Sequence, residues 1–268
     1  MKNRKIISIL LALTMVFATA AVMVGCGGEE AKDPIEVYKE AAKNMEDAKD
    51  MSFDTDMNYK ISYNKQDMEM KMGMKADYIK STTDDPNDFQ LKADINMEML
   101  GQNIDMKMYV KDKTVYGESN GTKTKNALDD ESTKQINSMV DSFKGFEIGD
   151  YVKESKMEGD KLIFTVDSKK LIEAMTKKAE GSDETAMMGQ IFEGMKDADI
   201  GDTTFEATVK DGNFTSQKFI MPINMDMSAI SGDSSNDQKM EGEMVYDIKN
   251  IKINTGKEIE FPDFKDFK

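Results

Sequence analysis

Histidine and tryptophan are absent from this 268-residue chain, cysteine occurs once and proline four times. Without histidine, the commonest neutral-pH general base and the commonest metal ligand are both missing, which excludes the usual triads and zinc sites. A single cysteine, Cys26, rules out an intrachain disulfide, so packing alone must hold the fold. The glycine-containing stretches carry neither a P-loop nor a dinucleotide pattern. The acidic clusters Asp84-Asp85, Asp129-Asp130-Glu131 and Asp183-Glu184 lack EF-hand spacing. No carboxylate pair stands out as an acid–base couple, so neither an enzyme nor a cofactor or metal is expected. Basic charge is also short: the formal net charge is −15, and without Lys2, Arg4 and Lys5 the chain has 33 basic residues against 51 acidic ones. Such a surface repels nucleic acid and anionic headgroups.

Hydrophobic residues nonetheless make up 39% of the chain, enough for a core once a leader is removed. That leader is legible. Three cations lie within Met1–Lys5, and Ile6–Val24 is uncharged; Gly25, Cys26, Gly27 and Gly28 then precede Glu29-Glu30. Basic, apolar and small is the order of a secretory signal peptide. Val22-Met-Val-Gly-Cys26 resembles the lipobox of bacterial lipoproteins, with Met23 in place of the usual leucine. That resemblance implies that residues 1–25 are removed and that Cys26 becomes diacylated and N-terminal, with 26–32 as a tether. Two acyl chains suffice for stable anchoring, here at the outer face of the cell membrane. The alternative is an uncleaved span, for which 19 uncharged residues are just long enough. Either way the positive charges stay cytoplasmic and the rest lies outside.

Beyond the tether, Asp33-Pro34-Ile35-Glu36 reads as a helix start, with Asp as N-cap, Pro at the first helical position and Glu reaching back. Ile35, Tyr38, Ala42 and Met45 give that helix, over about 34–48, one apolar face. From Met51 the period changes to two, with Phe53, Thr55, Met57, Tyr59, Ile61 and Tyr63 on one parity and Asp54, Asp56, Asn58 and Lys60 on the other. Similar alternation marks strands near 68–78, 89–99 and 104–110, with turns at Asp112-Lys113 and Asn120-Gly121 continuing the meander. Helical spacing returns over 131–144; a hairpin turns at Glu158-Gly159-Asp160; and helices follow after Asp167 or Ser168 and again after Gly181. Strands resume around Phe205–Val209, Phe219–Met227 and Met240–Ile253. The apolar parity of the last switches between Ile248 and Ile251, predicting a bulge near Lys249-Asn250. The expected architecture is α+β: one large curved antiparallel sheet, a half-open β-barrel, with helices over its concave face and residues 33–268 as a single domain. Two half-domains are the alternative.

Leader included, the sequence contains 25 methionines, and most of those in strands fall on the apolar parity. They therefore line a surface. Candidate lining residues are Met57 and Tyr59 on the first strand, Met70 and Met72 on the second, Met97 on the third, and Met106 and Met108 on the fourth. Met221 and Met225 on the penultimate strand and Met244 on the last complete the set. Three readings stand open: an ordinary filled core, a surface for variable apolar ligands suited to flexible thioethers, or a soft-metal site. Interleaved Tyr59, Ile61, Leu91 and Ile104 argue against the metal, because hydrophobicity requires them and coordination does not.

Leader, helix, meander, helical insertion and returning strands together resemble the LolA/LppX/LprG-like superfamily. The chain looks most like uncharacterised Gram-positive lipoproteins of that fold, the likeness being carried best by Tyr38–Ser62, helix into first strand. The resemblance implies a half-open barrel closed by helices that holds acyl chains of a lipid or lipoprotein in its concavity. It implies no individual binding residues, since none match. An envelope scaffold with a filled core is the rival from another class, and a protein partner is not identifiable.

Overall fold

Alternating segments with short links pair with their neighbours, and here they build an antiparallel sheet that curves without closing on itself. The computed structural model describes residues 33–63, 66–82, 85, 88–99, 102–128, 151–179, 201–226 and 239–268. Cys26, the segment 131–144 and the segment after Gly181 lie outside the described residues. Helix α1 (Pro34–Glu46) has the predicted Asp cap and first-turn proline: the Asp33 carboxylate accepts from Ile35 N at 3.0 Å, with Pro34 in the first turn. Glu36 pairs with Lys39 at 3.2 Å on the exposed side.

The first meander comprises β1 (Asp50–Tyr63), β2 (Gln66–Ile79), β3 (Gln90–Met99), β4 (Gln102–Lys111), β5 (Thr114–Ser119) and β6 (Thr122–Ala127). The second comprises β7 (Val152–Glu158), β8 (Lys161–Val166), β9 (Thr203–Lys210), β10 (Asn213–Asp226) and β11 (Lys239–Ile253), with helix α2 (Ser168–Ala179) between β8 and β9. Asp167 caps α2, its carboxylate accepting from Lys170 N at 3.1 Å. The two predicted two-residue turns, Asp112-Lys113 and Asn120-Gly121, have both central residues at positive φ, and so does the turn at Asp211 and Gly212. That conformation matches the twist of a tight hairpin.

Strand order is β6-β5-β4-β3-β2-β1-β11-β10-β9-β8-β7, so the two meanders meet where the first strand pairs with the last. Along that seam the register slips between Ser52 and Asp54, leaving Asn250 and Ile251 opposite Phe53. Asn250 takes φ +54° and donates its side-chain amide to Asp54 at 2.7 Å. The predicted bulge is thus present, and it lets both Ile248 and Ile251 be buried. Pro222 is accommodated in β10 because β9 pairs only as far as Ile220; among the described residues, Pro222 has a ladder neighbour on β11 alone.

The inner face carries the core. Helix α1 packs chiefly on β7, β9 and β10, and its Tyr38 ring meets Phe164, Phe205 and Phe214 at centroid distances of 5.9, 5.6 and 5.2 Å. A smaller cluster of Phe89, Leu91 and Val110 sits on the same face near β3 and β4.

The outer face is charged, with Lys249 bridging Asp56 and Asp247 at 2.9 and 3.1 Å where the two aspartates oppose each other. After β11 the last residues cross this face as a strap. Asp50 holds its start, accepting from Thr255 N and Thr255 Oγ1, both at 2.7 Å, and from Gly256 N at 3.0 Å. Lys257 then pairs with Asp77 at 3.2 Å. Phe261, Phe264 and Phe267 close on Tyr109, and Phe264 and Phe267 also meet Tyr116. Lys111 and Lys123 lie over the Phe261 and Phe267 rings, and the Lys268 carbonyl accepts from Lys125 N of β6 at 2.7 Å.

Candidate functional site: the methionine face

Side chains of one parity share a face, and partners directly opposite across a ladder share it too. The register therefore places the candidate residues explicitly. One row runs Met97–Met72–Met57–Tyr246–Phe219–Phe205–Phe164, crossing β3, β2, β1, β11, β10, β9 and β8 in turn. The row beside it runs Met70–Tyr59–Met244–Met221 over β2, β1, β11 and β10. The first row is thus zoned, with thioethers over β1–β3 and phenyl rings over β8–β10, on the side of the sheet where α1 packs.

Met57, Tyr59, Met70, Met72, Met221 and Met244 fall in one cluster, and Met97 adjoins it through Met72. Met57 and Met221 are each 2% exposed. Met108 belongs instead with Phe89, Leu91 and Val110, and Met106, half-buried, lies opposite Ile95. Met225 pairs with Met240 in the β10–β11 ladder, its side chain lying outside the described parts. Spacing gives the parity of these residues but does not separate the larger cluster from the smaller one, a division that depends on where Phe89 and α1 land.

Polar side chains also occur on this face. Tyr246, 2% exposed, turns its hydroxyl toward Thr55; burial pushes its phenol up to about 12 against a smaller opposing pull from the Thr55 hydroxyl. Tyr59 is 8% exposed and its hydroxyl is fully buried with no hydrogen-bond partner among the described residues. Burial raises that phenol well above its ordinary value, with the neighbouring Tyr246 adding to the effect, so it stays neutral and able to donate. Gln217, also buried, shares the face opposite Ile248. No charged residue of β1–β4 or β8–β11 is on this parity along the ladders; Lys60, Lys71, Lys218, Glu243 and Asp247 all take the other. Such a surface suits contact with apolar matter carrying an uncharged polar group. Among the described residues no helix is long and apolar enough to cross a membrane.

These features define a half-open antiparallel sheet protein with a thioether-lined inner face. Residues 33–264 match the family described as "Family of unknown function (DUF6612)", and the chain belongs to that family. No curated protein matches the sequence. Among solved structures the chain is similar to LprF from Mycobacterium bovis, at TM-score 0.41 and 9% identity over 86% of this chain and 96% of that one. It is similar also to a DUF1329 family protein from Desulfovibrio piger, at TM-score 0.26 and 7% identity over 85% and 96%.

Proposed function

We propose that this chain is a non-catalytic lipoprotein, tethered through diacylated Cys26 to the outer face of the cell membrane, that holds a lipid or other amphiphile on its methionine face. Residues 1–25 are then the leader, 26–32 the tether and 33–268 a single binding domain. The observation that carries the reading is the continuous thioether surface formed by Met97, Met72 and Met57 together with Met70, Met244 and Met221. Unbranched thioethers repack around acyl chains of different shape, which a surface of branched aliphatics does less readily. Burying an acyl chain contributes about 0.8 kcal/mol per methylene, so a short length of contact is enough for capture.

The second reading, a scaffold whose inner face is simply filled core, is favoured by the near-complete burial of Met57 and Met221. Native mass spectrometry with lipid extraction separates the two. The mature chain from Cys26 onward is made without its leader, so that Cys26 is unacylated, and purified without detergent. A retained adduct of lipid mass supports the binding reading. A clean apo mass, with no uptake from added envelope lipids, supports the scaffold.

A further inference from the structure

Resting on the amphiphile-binding reading, we infer that the Tyr59 hydroxyl is the hydrogen-bonding partner of an uncharged oxygen, an ester carbonyl or a hydroxyl, on the bound molecule. Tyr59 stands between Met70 and Met244 in the middle of the thioether surface. Its hydroxyl is buried and lacks a partner among the described residues, an arrangement that costs stability and that phenylalanine would avoid while filling the same space. The adjoining row uses phenylalanine three times, at Phe219, Phe205 and Phe164, so a bare ring suits this sheet where only packing is required.

The chemistry around the hydroxyl selects the partner. Tyr246, beside it, is polar but uncharged, as are Thr55 and Gln217 further along the same face, and every cation of β1–β4 and β8–β11 is on the opposite parity. A carboxylate or phosphate brought here would be desolvated without a counter-charge, which is far costlier than burying a neutral oxygen against a phenol donor. Tyr59 thus distinguishes neutral acyl lipids from ionised ones.

The test compares wild type with Tyr59→Phe in the mature chain, Cys26–Lys268, which contains every described helix and strand. Affinities are read by displacement of N-phenyl-1-naphthylamine with monooleoylglycerol, with oleate and with 1-heptadecene, a hydrocarbon without a polar group. In wild type, monooleoylglycerol is expected to bind more tightly than oleate. Tyr59→Phe is expected to weaken monooleoylglycerol about tenfold, leave the dye and the hydrocarbon unchanged, and not lower the melting temperature of the unliganded protein. Equal affinity of the two proteins for monooleoylglycerol would overturn the assignment. So would parallel weakening of all ligands, which means lost packing, or oleate binding wild type as tightly as monooleoylglycerol. If wild type binds neither the dye nor any of the three, the amphiphile-binding reading itself fails and the inference falls with it.

Discussion

The Tyr116 and Phe264 rings stack face to face, their centroids 3.8 Å apart and their planes within 10°. One belongs to β5 near the edge of the sheet, the other to the segment after the last strand, so the stack ties the end of the chain to the outer face of the first meander. Phe264→Ala removes this stack and the edge contacts of Phe264 with Tyr109 and Phe267. Because Phe264 is half-buried rather than fully buried, the expected loss is about 2 kcal/mol, below that of a core phenylalanine. Urea denaturation followed by circular dichroism measures it. Ligand uptake should be unchanged, since the strap crosses the face opposite the methionines.

Asp50 makes the strap's attachment depend on pH. Burial alone would raise its carboxyl, but the hydrogen bonds from the Thr255 hydroxyl and from the Gly256 and Thr255 amides outweigh that and hold it below the usual carboxylate range. A folded-state value lower than the unfolded one stabilises the protein above the unfolded value, and the contribution is lost as pH falls through the folded value. Asp50→Asn is therefore expected to reduce stability at pH 7 by about 1 kcal/mol. The gap from wild type should narrow as pH drops below about 4, the ordinary aspartate value. Urea midpoints at several pH values give the comparison, and a gap independent of pH would contradict it.

Much of this fold is local and so was readable. Period-two alternation identified the long strands and their apolar parity. Asp33 and Pro34 announced the first helix, and the change of parity between Ile248 and Ile251 located the bulge at Asn250. The pairing of β1 with β11 is different in kind: it joins segments almost 190 residues apart in the Met57–Tyr246 pair, and no turn signal encodes it. The strap was missed for another reason. Phe261-Pro-Asp-Phe264-Lys-Asp-Phe267 has neither helical nor strand period, and its last step is a turn closed by Phe267 N donating to the Phe264 carbonyl at 3.1 Å; the spacing of three between phenylalanines was the available signal. For the candidate site, alternation placed Tyr59 on the correct face but was silent about its hydroxyl, because hydrogen-bond satisfaction depends on cross-strand neighbours rather than on spacing.

The proposed anchoring through Cys26 has its own consequence. Cys26→Ala blocks diacylation, so the protein is expected to lose its two acyl chains and, if released by another route, to partition into the soluble extracytoplasmic fraction. Membrane fractionation, together with the mass of the wild-type N-terminal peptide, measures this. A Cys26→Ala protein that is processed normally yet stays with the membrane would contradict lipid anchoring.

The central claim, that the methionine face is where a ligand binds, is tested most directly by titrating monooleoylglycerol into the mature chain with its methionine methyl groups labelled with carbon-13. Met57, Met72, Met97, Met221 and Met244, buried together on the inner face, are expected to shift in concert, while Met157, exposed at 42% on β7, stays in place. Shifts confined to Met157, or spectra unchanged at saturating lipid, would show that the thioethers are filled core and contradict the account.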